Sequence, residues 1–197
     1  TESGGVEELR TRFAGGEGAA AVYTEVPSNP LLRTADLAGL AEILRREAVP
    51  LIVDDTIATS VNVDSFRFAD AVTTSLTKAF SGVGDVAAGS VVLNPASPCY
   101  AFLKAEMSAE EAASPLFERD VIALEVNSRH YQERVEATNE NALELVEWLK
   151  ARPEVKSLWH PSTICTAYYD AVRRAEGGYG ALLSMELDGG EPAAAAF

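Results

Sequence analysis

Apolar positions along the chain fall into short runs separated by stretches of helical period. The first eighteen residues are rich in Gly and Glu, with Val6, Leu9 and Phe13 at helical spacing, which predicts a short helix before Gly15-Gly16. Residues 19–25 (AAAVYTE) are short and apolar and predict a buried strand, closed by the Pro27-Ser28-Asn29-Pro30 turn. Asp36 caps a predicted helix to about residue 48, with Leu37, Leu40, Ile43 and Leu44 on one face and Pro50 as its stop. Leu51-Ile52-Val53 leads into Asp54-Asp55-Thr56 as a second strand. The order strand, helix, strand implies a right-handed parallel crossover. Third and fourth strands are predicted near 71–75 and over 86–93.

From residue 98 to residue 150 the period turns helical. A long helix is predicted over 117–139, with Val121, Leu124 and Tyr131 on one side, continuing over 141–150 until Pro153. Two late strands, 155–159 and 181–187, follow it. The predicted architecture is therefore α/β: a three-layer, mostly parallel sheet domain over residues 1–152, then the start of a small α+β domain over 153–197. Thr1 stands where a methionine is expected, and the chain stops inside a helix beginning after Gly189-Gly190. A piece of a longer polypeptide is the expectation.

Charge narrows the partners. Sixteen basic residues against 30 acidic ones leave a net charge of −14. That argues against nucleic acid and against an anionic membrane surface. A small phosphorylated molecule stays open, because backbone N–H groups and a few local donors can hold one. Two cysteines, Cys99 and Cys165, make no disulfide framework, and thiols in a reducing, cytoplasmic compartment are expected. No apolar run is long enough for a membrane span, and no signal peptide is evident. His130 and His160 lack a carboxylate pattern that would make them metal ligands.

Candidate chemistry gathers at three predicted carboxyl ends of strands, where ligands bind in open parallel sheets. They carry Asn29, Asp54 and the group Ser75, Thr77 and Lys78. Taken singly, each has a plain structural reading: a turn former, a cap, strand filler, a solvated lysine. Taken as a set they match one cofactor. A carboxylate can hold a protonated ring nitrogen, two hydroxyls can donate to a phosphate, an amide can donate to a phenolic oxygen, and a desolvated lysine amine can attack an aldehyde. These are the partners pyridoxal phosphate requires.

The segments Glu25-Val26-Pro27-Ser28-Asn29-Pro30-Leu31, Val53-Asp54-Asp55-Thr56-Ile57-Ala58-Thr59 and Ser75-Leu76-Thr77-Lys78, with Gly82, Asp85 and Gly89, resemble the cysteine and methionine metabolism family of pyridoxal-phosphate enzymes, which have fold type I. The likeness continues through Arg134, Asn139-Glu140-Asn141-Ala142, Trp148-Leu149 and Gly178-Tyr179-Gly180, and the run from Ser75 to Pro95 is most similar to the fungal cystathionine γ-synthase branch. The resemblance implies that Lys78 bonds to the cofactor aldehyde and shuttles protons on the substrate, that Asp54 holds the pyridine nitrogen, that Ser75 and Thr77 bind the phosphate, and that Asn29 contacts the phenolic oxygen. It implies amino-acid substrates, a homo-oligomer, and transfer of cysteine onto an acyl-homoserine to give cystathionine. A lyase of the same family acting on cystathionine or methionine remains open, as does a piece without turnover. A nucleotide-binding domain has less in its favour, since no glycine-rich phosphate signature occurs.

Three positions depart from the family pattern: Asp55 where it usually has Asn, Ala79 where an aromatic or polar residue is usual, and Val83 where His is frequent. The family's glycine loop for phosphate, its ring-stacking tyrosine and its carboxylate-binding arginine have no counterparts in this sequence.

Overall fold

The central strand of the computed structural model, β2 (Leu51–Asp54), is apolar for the reason its sequence suggests: it lies between neighbours on both edges and helices cover it. The structure describes residues 4–111 and 116–196. Parts of three expectations fall outside these: the beginning of the first helical segment, residues 112–115 of the helical region, and the last residue of the final helix.

Strands β1 (Val22–Glu25), β2 and β3 (Ala71–Ser75) pair in parallel, with Glu25 opposite Asp54 and Asp54 opposite Thr73. The fourth strand, β4 (Gly89–Leu93), pairs antiparallel with β3, giving the order β1-β2-β3-β4. The sheet is thus mostly parallel. The strand begins at Gly89 and not at residue 86, because the Ala88 carbonyl is taken by the Leu76 and Thr77 N–H groups of the turn after β3. Likewise β1 starts at Val22.

Helix α1 (Gly4–Ala14) precedes β1, and α2 (Leu37–Arg46) carries the chain from β1 to β2. The Asp36 carboxylate caps α2 by accepting the Gly39 N–H at 2.9 Å. Leu37, Leu40, Ala41 and Leu44 from its inner face pack with Val26, Leu51, Val53 and Val72 in one core. Full burial of each such side chain contributes about 1.5–3 kcal/mol. A single turn, α3 (Thr59–Asn62), follows β2.

The long helix expected over 117–139 is two helices, preceded by α4 (Tyr100–Glu111). Helix α5 (Glu118–Ser128) ends, and α6 (Tyr131–Lys150) begins after His130, whose backbone (φ −117°, ψ 30°) leaves the helical region. The break bends the chain around the segment following Lys78, onto which both helices donate: Asn127 Nδ2 to Ser81 Oγ and Asp85 Oδ1, and Arg134 to carbonyls there. Strands β5 (Val155–Trp159) and β6 (Ser184–Leu187) form a separate antiparallel pair. Between them α7 (Thr166–Val172) sends Tyr169 and Val172 back into the core of the first sheet. Helix α8 (Gly190–Ala196) closes the described chain and takes in Gly190, one residue before the expected start.

Candidate active site

The first three strands end on one cavity of about 560 Å³. Glu25, Pro27 and Asn29 line it from the end of β1, Asp54, Thr56 and Ile57 from β2, and Ser75, Lys78 and Ala79 from β3; Ala181 and Leu182 close the far side. Strand register explains the convergence, because Glu25 and Asp54 are directly paired and Asp54 pairs with Thr73 two residues before Ser75. Four of the five residues singled out from sequence therefore meet: Asn29, Asp54, Ser75 and Lys78.

The fifth, Thr77, lines the other side of Lys78, with Gly82, Gly84 and Arg134. Its hydroxyl accepts the Ala88 N–H at 3.1 Å and pins the turn to the start of β4.

Lys78 sits in a five-residue wide turn, Leu76–Phe80, directly after β3. The Ser81 N–H reaches back to the Leu76 carbonyl, and the Lys78 backbone (φ −80°, ψ −124°) interrupts the helical path. Such π-type turns recur at functional sites. Arg134, from α6, holds this turn. Its Nη2 donates to the Phe80 carbonyl at 2.8 Å and to those of Ala79 and Ser81 at 3.2 and 3.3 Å, while Nη1 donates to the Asn127 carbonyl at 2.9 Å. Arg129, just before the α5–α6 break, pairs with Glu125 on its own helix, but Arg134, just after it, serves backbone carbonyls because the break turns it inward.

Asp54 is held from two sides. The Tyr23 phenol donates to Oδ2 at 2.5 Å and the Thr56 N–H to Oδ1 at 2.9 Å. Each oxygen keeps a further lone pair for a ligand donor. The Thr56 hydroxyl accepts the Ser75 N–H at 2.8 Å, so β2 and β3 are locked where they face the cavity. The Glu25 carboxylate accepts the Asn29 N–H at 3.0 Å, fixing the Asn29 turn. Asp55 faces away: it is buried, takes the Thr74 hydroxyl at 2.5 Å, and burial pushes its carboxyl above the ordinary range.

Tyr23, Thr56 and Arg134 were not legible as site residues. Tyr23 and Thr56 do sit two positions from Glu25 and Asp54, a same-face spacing in extended chain. Arg134 belongs to the stretch that resembles the family, but nothing local to it signals a contact with the turn that carries Lys78.

The donor set suits pyridoxal phosphate. Among the described residues, the Lys78 amine, the Ser75 hydroxyl and the Asn29 side-chain amide have no hydrogen-bond partner, so all three are available to a ligand beside the Asp54 carboxylate.

This layered, mostly parallel α/β sheet has the architecture of fold-type I pyridoxal-phosphate enzymes. The chain belongs to the Cys/Met metabolism PLP-dependent enzyme family, whose pattern matches residues 6–197. It is 38% identical over 191 residues to the cystathionine γ-synthase of Neurospora crassa, covering 96% of this chain and 31% of that protein. The structure superposes with a TM-score of 0.83 on cystathionine γ-synthase from Xanthomonas oryzae pv. oryzae in complex with aminoacrylate and cysteine, at 28% identity over 96% of this chain and 48% of that one. A methionine γ-lyase from Micromonospora echinospora gives 0.77, also at 28% identity, over 87% and 46%. The chain thus spans about a third of the length of its curated relatives.

Proposed function

We propose that this chain carries the cofactor half of a γ-replacement enzyme that joins an acyl-homoserine to cysteine and gives cystathionine. The observation that supports this reading most is the meeting of Asn29, Asp54, Ser75 and Lys78 on one cavity. In this assignment Lys78 bonds to the cofactor aldehyde, Asp54 takes the pyridine N–H, Asn29 donates to the phenolic oxygen, and Ser75 with Thr77 donates to the phosphate. The Thr77 oxygen accepts the Ala88 N–H and its hydroxyl donates to the Ala88 carbonyl at 3.4 Å, a long bond that the hydroxyl proton would give up to reach the phosphate.

Pyridoxal phosphate, when bound, supplies an electron sink for the charge left at the substrate's α-carbon. The chain's own residues do the rest. The Nζ of Lys78 takes and returns protons at the α- and β-carbons. Asp54, oriented by Tyr23 and Thr56, keeps the ring nitrogen protonated. The acyl group leaves the γ-carbon as a carboxylate, and the cysteine sulfur takes its place as its thiol proton is lost.

The substrates are small amino acids. We place the protein in the cytoplasm, in keeping with a sequence that carries two cysteines and so no disulfide framework. Assembly into a homo-oligomer is supported by the exposed apolar side chains of Phe117, Val121, Ile122 and Val126 on and before α5. The division into a cofactor domain over 1–152 and a second unit from 153 has the separate β5–β6 pair in its favour.

Incubation of the protein with pyridoxal phosphate, an O-acylhomoserine and cysteine tests the reaction. Cystathionine as the product is expected. Release of a 2-oxo acid and ammonia from cystathionine or methionine, without cystathionine synthesis, would instead establish the lyase reaction.

A further inference from the structure

Behind the far wall of the cavity lies a pair of buried side-chain amides from different helices. Asn62 ends α3, just beyond the Asp54 strand, and Asn139 lies in the middle of α6; they are 1% and 7% exposed. Each donates Nδ2 to the other's Oδ1, at 3.0 and 2.8 Å. Asn62 Nδ2 also donates to the Ala58 carbonyl at 2.9 Å. Both oxygens then accept a second hydrogen, and both come from one loop: the Gly178 N–H reaches Asn62 Oδ1 at 2.8 Å, and the Gly180 N–H reaches Asn139 Oδ1 at 3.1 Å. The two amides thereby fill nearly all of their donor and acceptor positions.

The loop is held from its other side too. Fully buried His160, at the end of β5, places Nε2 3.3 Å from the Gly180 carbonyl and Nδ1 2.7 Å from the Ser162 hydroxyl. Farther along, the Ser184 hydroxyl donates to the Pro30 carbonyl, next to Asn29. The approach at Gly178 is so close that a Cβ there would stand 2.4 Å from Asn139 Cγ. The next residues, Ala181 and Leu182, line the cavity with Lys78.

A buried amide pair is an expensive way to pack two helices, since apolar side chains of the same size need no hydrogen-bond partners. This pair reads out two backbone donors of the wall loop, those of Gly178 and Gly180, in addition to joining α3 to α6. We propose that Asn62 and Asn139 are positioning residues for the substrate side of the cavity. They fix Gly178 and Gly180, and through them the placing of Ala181 and Leu182 over the end of the substrate remote from the cofactor ring. The pair touches neither Lys78 nor Asp54, so its effect falls on substrate binding and spares cofactor binding. This inference rests on the functional reading above.

The test uses the protein loaded with pyridoxal phosphate. Asn139→Asp keeps the size but turns the Nδ2 donor into an oxygen facing Asn62 Oδ1. The expected result is a KM for the acyl-homoserine raised about tenfold, with cofactor Kd and the bound cofactor's absorbance within about twofold of the parent. Leu182→Ala, on the exposed wall itself, raises KM without disturbing the fold. Combined with Asn139→Asp it adds little further, because both changes act through one contact. Asn139→Ser serves the same comparison if the aspartate variant does not fold. A lowered melting temperature with unchanged KM, or KM effects that multiply independently in the double variant, would overturn the inference and leave a pair that only joins helices. A parent protein that takes up no pyridoxal phosphate would instead overturn the functional reading, and the inference with it.

Discussion

The Tyr23 phenol donates to Asp54 across neighbouring strands at 2.5 Å, so the carboxylate proposed to face the pyridine nitrogen is aimed by a residue outside the cavity lining. Burial, and then the bond to Asp54, push the Tyr23 phenol above its ordinary value. The sign follows: the bond is intact below pH ~10 and is lost as pH rises through the raised phenol pKa. Because Tyr23 is more than half exposed, solvent weakens the bond, and Tyr23→Phe should cost about 1 kcal/mol of orientation at Asp54, or roughly fivefold in kcat. Cofactor Kd should change little. Steady-state kinetics beside a cofactor titration measure both, and a large loss of cofactor affinity with kcat intact would contradict this role.

Asp55 offers a prediction of the opposite kind. Its carboxyl is raised chiefly by burial, with the Thr74 hydroxyl opposing. A carboxyl that is harder to ionise in the folded state than in the unfolded one lends stability at low pH, and that stability is lost as pH rises through its folded pKa. Asp55→Asn removes the ionisation and keeps an oxygen for Thr74. The variant should melt higher than the parent at pH 7–8 and show no such advantage below about pH 4. Melting curves across that range decide it.

Arg134 holds the turn that presents Lys78 by donating to three successive carbonyls. Lysine cannot reproduce a planar fork of donors. Arg134→Lys should lower stability by about 1–3 kcal/mol and weaken retention of the cofactor, since the turn would no longer be fixed. Denaturant unfolding and cofactor dialysis measure the two effects separately.

Gly177 stands against α3 as Gly178 does against α6. A Cβ at Gly177 would lie 2.1 Å from the Asn62 carbonyl oxygen, a rigid backbone atom. Gly177→Ala should therefore cost at least about 1–3 kcal/mol, because the loop must move bodily. A melting temperature equal to the parent's would show that the loop is not seated as described.

How much of this was readable beforehand differs by feature. Strand positions followed from apolar runs such as Leu51-Ile52-Val53, and the Asp36 cap and the Pro50 stop bounded α2 from local chemistry alone. Meeting of Asn29, Asp54 and Ser75 followed from parallel pairing, which places successive carboxyl ends side by side. The α5–α6 break was not legible, because it answers to contacts with residues 79–85, far away in sequence. The antiparallel entry of β4 depends on the Ala88 carbonyl being taken by the turn at Leu76 and Thr77. The Asn62–Asn139 pair joins positions 77 residues apart, and no local pattern could reveal it.

The central claim is that Lys78 holds pyridoxal phosphate, and absorption spectroscopy tests it most directly. Titration of the purified protein with pyridoxal phosphate should produce a band near roughly 420 nm, from the cofactor bonded to a lysine in a site that keeps its ring nitrogen protonated. Lys78→Ala should abolish that band while the melting temperature without cofactor stays close to the parent's. A parent protein that gives no band, or a band that survives Lys78→Ala, would contradict the account.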